Sequence, residues 1–567
     1  MIMKGSDILV ECLLEQGVDT VFGYPGGTVI NVYDSLYKYS DKIKHILTAH
    51  EQGASHAADG YARSTGKVGV CIATSGPGAT NLTTGIATAY MDSSPVVFIT
   101  CNVGESFIGK DSFQECDTVG VTMPITKCNY LVKDVDEIAS TVRAAFAMAK
   151  SGRPGPVVID ILTNISKAET EFTPVPLEKH AESGKLATLM NRPTHNLRPH
   201  EPEGDIDKLV DMIRESERPM VICGGGVVRG RAQDEFLEFV ELADAPVAIT
   251  VMGGGGFNGS NPLSTNMIGM HGSQASNMAV DACDLLISVG CRFSERVTLD
   301  PSTFARNAKV VQIDIDRSEI DKNIKTAHHI IGDAKRVLEI ANSKLEQQDH
   351  TAWKEYVFQF PTETEYEEGG DTLNPKQVTR AIADILPEKT IVATDVGQHQ
   401  MWAIQHLHFT YPGQLLTSGG FGAMGFGLGA AIGAKAGNPE QTVLHVTGDG
   451  SFRMNFNELG TAKAYGLPII TVLMNNNALG MVRQWQTLMY GERYSETTLE
   501  RGPDFVKIAE AFDIAGRRAT NKAELEAALR EAVESGESMV IECIIAKDEL
   551  VRPMVPGGKN ITDFIVD

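Results

Sequence analysis

The sequence predicts an α/β protein of three consecutive domains with mainly parallel sheets. Three observations carry this. Short apolar runs of strand length recur along the chain, separated by helix-length segments, the pattern of βαβ units. Two stretches, one rich in proline and one in Glu and Gln, interrupt that alternation. The chain has 567 residues, room for about three domains at roughly 100–200 residues each.

The first domain is expected over residues 1–166. Ser6–Gln16 reads as a helix stopped at Gly17, and Val68–Thr74 and Pro95–Thr100 read as buried strands. Residues 167–204 contain Pro174, Pro176, Pro193, Pro199 and Pro202 and read as a linker. The second domain, 205–345, offers strands at Met220–Cys223, Pro246–Thr250, Leu285–Val289 and Lys309–Ile315. A second linker is expected over 346–372. The third domain, 373–567, offers Thr390–Ala393, Thr442–Val446, Pro468–Met474 and Met539–Ile545, then a Pro/Gly-rich tail.

The formal net charge of −23 disfavours nucleic acid as a partner. It leaves phosphate ligands open, since a divalent metal and helix N-termini supply local positive potential. Nine cysteines without a Cys-x-x-Cys pair read as reduced thiols. The first residues lack a signal-peptide pattern, so a cytoplasmic protein is expected. Phe409–Ala434 carries no charge but holds seven glycines between Gly419 and Gly433. That composition predicts a closely packed buried helix rather than a membrane span, with Gly425, Gly429 and Gly433 opening one face to a backbone or a cofactor.

The chemistry is concentrated in the third domain. Val443–Val446 runs into Gly448-Asp449-Gly450-Ser451, a helix-like segment follows, and a second apolar strand ends in Asn475-Asn476-Asn477. Both polar loops are expected at the carboxyl ends of neighbouring parallel strands, where ligands bind in open α/β sheets. Magnesium takes about six oxygen ligands. Asp449 offers a carboxylate, Asn476 an amide oxygen and the loop at Ala478 a carbonyl, with a diphosphate and water supplying the rest. Gly448 and Gly450 let the backbone approach phosphates.

This combination resembles the thiamine-diphosphate fingerprint of the 2-oxo acid decarboxylase and synthase superfamily. That cofactor requires a carboxylic acid at its pyrimidine ring, and Glu51, in Ala49-His50-Glu51-Gln52-Gly53, fits the role. It also requires an apolar wedge between its two rings, for which Met424 is placed by Gly422-Ala423-Met424-Gly425.

Over almost its whole length the chain resembles the acetolactate synthases. Tyr24-Pro25-Gly26-Gly27, Ser75–Asn81, Asp111-Ser112-Phe113-Gln114-Glu115, Met270-His271-Gly272, Arg292-Phe293, Asp395–Trp402 and Gly480–Gln486 carry the likeness. The resemblance implies thiamine-diphosphate-binding folds at both ends and a Rossmann-like domain between them. It implies thiamine diphosphate, Mg2+ and FAD as cofactors. Cofactor-binding positions are then expected at Pro25, Gly26, Glu51, Asn81, Gln398, His399, Gly422, Met424, Gly448, Asp449, Gly450, Ser451, Asn476, Ala478, Gly480 and Met481. FAD is expected at Gly224, Gly225, Met270, His271, Gly272 and Arg292. Glu51, Phe113 and Gln114 take catalytic positions, the latter two reaching across from a partner subunit. Trp485, Met481 and Arg292 are expected at the second substrate.

The implied reaction decarboxylates pyruvate and adds the two-carbon fragment to pyruvate or 2-oxobutyrate, in branched-chain amino-acid biosynthesis. The implied assembly is a homodimer or homotetramer with sites between subunits, with room for a small regulatory subunit. The alternative is another thiamine-diphosphate-dependent decarboxylase, oxidase or carboligase. Departures from the family pattern, Cys101–Glu105, Leu162-Thr163-Asn164 and Ser294-Glu295, remove two basic residues expected near the substrate channel.

Overall fold

The computed structural model describes residues 1–175, 201–366 and 372–566. Three six-stranded sheets follow one another along the chain. The first orders its strands Lys44–Leu47, Thr20–Tyr24, Gly69–Thr74, Val96–Asn102, Val157–Leu162, Cys128–Val132, all parallel. The middle sheet runs Ser264–Met267, Val247–Ile249, Pro219–Cys223, Leu285–Val289, Lys309–Asp314, His328–Ile331. The third runs Leu415–Leu416, Ile391–Thr394, Val443–Gly448, Ile470–Asn475, Met539–Ile544, Ala515–Ala519. The central strands of each sheet are buried on both faces, which is why they read as continuous Val/Ile/Leu runs. A small antiparallel pair, Ile2–Lys4 with Glu169–Glu171, ties the start of the chain to the end of the first sheet unit.

The expected strands lie within a residue or two of their observed bounds. Most of the proline-rich stretch, 176–200, falls outside the described residues. The second polar stretch differs from a plain linker, because it carries a helix, Thr351–Val357. Trp353 and Val357, one turn apart, are buried there, and the Trp353 indole N–H donates to the Pro219 carbonyl at 2.9 Å. Two apolar anchors are joined there by polar ties to the middle domain: the His350 ring contacts the Ala243 and Ser216 carbonyls, and Lys354 pairs with Asp244.

The glycine-rich stretch forms the helix Phe426–Gly437, packed against the helix Glu51–Thr65 of the first domain. The approach is backbone to backbone. A Cβ on Gly433 would stand 1.8 Å from the Ala57 carbonyl oxygen, and one on Gly60 would stand 2.2 Å from that of Ala430. This contact makes the first and third domains one body around a shared apolar core.

Candidate active site

At the carboxyl edge of the first sheet the loops after three strands converge. Thr28 clasps two of them, its hydroxyl 2.6 Å from the Cys101 carbonyl oxygen and 2.9 Å from the Thr74 hydroxyl. Gly26 sits so close that a Cβ would fall 2.4 Å from that of Thr74. Glu51 begins the helix Glu51–Thr65, whose cap is the His50 side chain accepting from the Gln52 N–H. The Asn81 amide donates to Glu51 Oε2 at 3.0 Å. A Cβ on Gly78 would lie 3.4 Å from Glu51 Oε1, so glycine there keeps the space beside the carboxylate open. Gln114 joins this group, its backbone 3.0 Å from the Cβ position of Gly76. Phe113 beside it projects outward at 88% exposure.

In the third domain Val443–Gly448 and Ile470–Asn475 are neighbouring parallel strands, so Asp449 and Asn476 leave the same sheet edge. Asp449 starts the helix Asp449–Asn455. Its Oδ2 is buried without a hydrogen-bond partner, and burial raises the carboxyl to about 7. An orphaned carboxylate oxygen inside a protein is costly unless a cation joins it. Asn476 Oδ1 faces the Ala478 N–H at 3.2 Å, and its amide donates to Gln398 Oε1 at 3.1 Å. Gly480 admits Gln398, whose Oε1 would lie 1.9 Å from any Cβ at that position. Gly448 admits the His399 ring in the same way, 2.7 Å from the Cβ position. His399 Nε2 is also without a partner, and burial lowers its pKa to about 4, leaving it neutral. The Ser451 hydroxyl is occupied by the Val396 carbonyl at 2.8 Å. Met424 reaches this edge, its Cε 3.6 Å from the Cβ position of Gly450. Gly422, at φ +71°, has open space where a side chain would be.

The residues fit a metal-bound diphosphate. Among the described residues no cluster of three or more His, Cys, Asp or Glu exists to hold a metal alone. A single carboxylate with amide and main-chain oxygens instead suits a hard cation that shares its shell with phosphate.

The loop carrying Met424 is anchored from the first domain. Arg63 pairs with Asp59 and Asp92, all buried, and donates to the Thr417 carbonyl at 2.7 Å. Asp92 Oδ1 accepts the Gly420 N–H at 2.6 Å. Arg292 of the middle domain approaches the same loop, its Nη2 3.1 Å from the Cβ position of Gly420. Three domains therefore meet at Gly420.

The sequence pattern places this chain among known proteins. Its N-terminal, central and C-terminal parts match the models of the thiamine pyrophosphate enzymes: the N-terminal TPP binding domain over 3–121, the central domain over 206–340 and the C-terminal TPP binding domain over 395–543. The chain is 43% identical to the isozyme 2 acetolactate synthase large subunit of Escherichia coli, over 99% of both chains. It is 43% identical to the probable acetolactate synthase large subunit of Methanocaldococcus jannaschii, covering 99% of this chain and 95% of that one. A Corynebacterium glutamicum large subunit is also 43% identical, at 99% and 90% coverage. The chain belongs to the acetolactate synthase large subunits, a family of thiamine pyrophosphate enzymes.

Within that family the middle domain is expected to hold FAD. Several glycines expected there are consumed by main-chain packing. A Cβ on Gly224 would fall 2.2 Å from the Gly290 carbonyl oxygen, and Gly272 abuts Gly269. Gly225 opens the helix Gly225–Arg229 against Met252. Polar capacity remains at His271, whose Nδ1 is buried and unpartnered, and at Arg292. Met270 exchanges main-chain hydrogen bonds with Arg296 and with Val555 of the tail. Trp485 and Met481 lie on the helix Gly480–Met489, with Trp485 packed against the cluster that contains Met554 and Val555.

The sequence assigned no site role to three buried polar residues, although two of them, Asp395 and Gln484, lie in stretches that carry the family likeness. Asp395 accepts from Thr447 at 2.6 Å and from the Gly427 N–H at 2.7 Å, and it lies 3.0 Å from the His445 ring, which holds its pKa near 2. Glu458 and Gln484 are equally buried. His445 inside an apolar strand was the signal for the first. Gln484 lies in the Gly480–Gln486 stretch that carries the family likeness, whereas Glu458, in a polar helical stretch, gave no signal.

Proposed function

We propose that this chain condenses two 2-oxo acids, using thiamine diphosphate held between a Glu51-bearing edge and an Asp449-bearing edge. The observation that carries the reading is the partnerless Asp449 Oδ2 at one strand end with Asn476 at the next. Asp449, Asn476 and the Ala478 carbonyl hold Mg2+. Gly448, Gly450, Ser451, Gln398 and His399 would surround the diphosphate, and Met424 would give the cofactor's rings an apolar surface to pack against. Glu51, oriented by Asn81, exchanges a proton with the pyrimidine ring. Bound thiamine diphosphate supplies the carbon nucleophile and the electron sink for decarboxylation. Arg292 takes the carboxylate of the second acid, since its planar fork matches that group. Trp485 and Met481 border the second acid's side chain. FAD belongs to the middle domain near His271 and Arg292.

The assembly is a homodimer or homotetramer, with Phe113 and Gln114 lent to a second copy. An aromatic ring at 88% exposure favours a covering partner. The relatives' names describe large subunits, and on that ground a small regulatory subunit is proposed. All nine cysteines are free and seven are buried, which suits a reducing, cytoplasmic setting.

The test is product analysis from pyruvate with Mg2+ and thiamine diphosphate, with and without 2-oxobutyrate. Acetolactate and its ethyl homologue are expected, and acetaldehyde or acetyl phosphate as the main product would overturn the reading. Mixing Glu51→Gln with Asp449→Asn chains tests sharing. Sites built across subunits regain activity on mixing, whereas sites within one chain stay dead.

A further inference from the structure

We propose that Glu458 is a positioning residue for the acid–base work of Glu51, acting from the third domain. The inference rests on the role given to Glu51 above. The segment entering the Glu51 helix has little structure of its own, yet each of its four backbone N–H groups is assigned. The Leu47 N–H donates to the Tyr465 hydroxyl at 2.9 Å and the Thr48 N–H to the Gly23 carbonyl at 3.3 Å. The Ala49 N–H donates to Glu458 Oε2 and the His50 N–H to Glu458 Oε1, both at 3.1 Å. Three of the four bonds thus end on two side chains, Glu458 and Tyr465, of one short stretch more than 400 positions away in the chain.

The carboxylate is placed with care. Glu458 is fully buried, and Thr461 donates to its Oε2 at 2.6 Å. Burial raises its pKa, and the hydrogen bonds from Thr461, Ala49 and His50 oppose that rise. Gly53, in the first turn of the Glu51 helix, lacks the Cβ that would stand 2.1 Å from Glu458 Oε1. The helix start and the carboxylate are therefore mutually fitted. The last residue fixed from the third domain is His50, and the next is Glu51. Its side chain is then aimed by a single further bond, from Asn81 at 3.0 Å.

An amide at position 458 would present N–H to one of two backbone donors and break the pair, with little change in volume. Such a change shifts where the helix begins without emptying the core. A residue that only stabilised the domain contact would lower stability and cofactor affinity together. A positioning residue alters the proton chemistry at Glu51 first.

The experiment uses the full chain with three variants, Glu458→Gln, Glu458→Asp and Glu51→Gln. In the protein without cofactor, amide hydrogen exchange over residues 48–52 is measured. In the loaded protein, the exchange of the thiazolium C2 proton with deuterium is followed by NMR, beside melting temperature and thiamine diphosphate affinity. For Glu458→Gln, faster amide exchange at 49 and 50 is expected, together with C2 proton exchange slowed about tenfold or more. Cofactor affinity should change little, and melting temperature should fall only modestly, as for one lost buried hydrogen bond. Unchanged C2 exchange in Glu458→Gln, or a loss that only tracks affinity and melting, overturns the inference. Should that variant not fold, Glu458→Asp, which retracts both acceptors by one methylene, is judged by the same readouts. Wild-type C2 exchange in Glu51→Gln would instead remove the role assigned to Glu51, a separate failure.

Discussion

The Asn81 side-chain amide donates to Glu51 Oε2 at 3.0 Å, joining the helix Glu51–Thr65 to the short helix Pro77–Asn81 that follows the strand Gly69–Thr74. One carboxylate oxygen is thereby occupied, and the other faces the gap kept open by Gly78. Glu51→Gln keeps the shape but loses the acid. Its kcat for acetolactate formation at saturating cofactor should fall about a hundred- to ten-thousand-fold. Asn81→Ala frees the carboxylate to rotate and should cost about tenfold, the loss of one hydrogen bond to a charged group. An Asn81→Ala enzyme at wild-type kcat would show that the orientation of Glu51 is set elsewhere.

Asp449 makes stability depend on pH in a defined direction. Its ordinary pKa is 3.8, and burial in the folded chain raises it to about 7. Between those values the folded state holds a proton that the unfolded state has released. Unfolding free energy therefore falls as pH rises through that window and levels off above it. Mg2+ with thiamine diphosphate should compensate the ionised carboxylate, so its stabilising effect is largest above about pH 7. Melting curves from about pH 5 to about pH 9, with and without Mg2+ and cofactor, test this. Asp449→Asn should abolish the metal-dependent shift and remove one carboxyl's share of the pH slope, leaving the share of Asp314 and Asp160, which burial also raises to about 7 and about 6.

The helix pair across the first and third domains tolerates no added atom at its centre. Gly433→Ala would put a methyl 1.8 Å from the Ala57 carbonyl oxygen. Neither helix can retreat without opening the shared core, so a loss of about 1–3 kcal/mol or more is expected, read by chemical denaturation. Gly466→Ala is the contrasting control for packing, since nothing lies near its Cβ position; only the strain of φ +59° remains there.

Much of this was legible in the chain. Leu285–Val289 was read residue for residue because a strand buried on both faces writes a continuous apolar run. The spacing of Gly425, Gly429 and Gly433 foretold a close approach, and Gly429 and Gly433 do meet the Glu51 helix. Cys128–Val132, a half-buried edge strand of mixed polarity, had no such signature. At the site, Asp449 and Asn476 were visible because both end apolar strands. Glu458 was not, since its partners are backbone N–H groups about four hundred positions away, and a main-chain donor leaves no mark in a sequence.

A chain of buried amides ties the loop after Ile470–Asn475 to the C-terminal tail. Asn476 donates to Gln398 Oε1, and Gln398 donates to Gln484 Oε1 at 3.0 Å and to the Glu549 carbonyl at 2.8 Å. Gln484 in turn donates to the Val551 carbonyl at 3.0 Å and accepts the Val551 N–H at 2.9 Å. Beside it Arg483 pairs with Asp548 at 2.6 Å. The tail then crosses the middle domain, where the Val555 N–H reaches the Met270 carbonyl and Trp485 packs in the same apolar cluster. Gln484 is thus the clasp holding the tail over the helix that bears Trp485. Gln484→Leu keeps the volume but strands the Val551 main chain, and it should loosen the tail by about 1–3 kcal/mol. Limited proteolysis should cut near residue 550 faster in the variant. Water reaching the site should divert part of the two-carbon fragment to acetaldehyde, so the acetaldehyde-to-acetolactate ratio rises while pyruvate consumption changes less. A variant whose tail is cut faster at an unchanged product ratio would show that the tail fixes Trp485 without keeping water out.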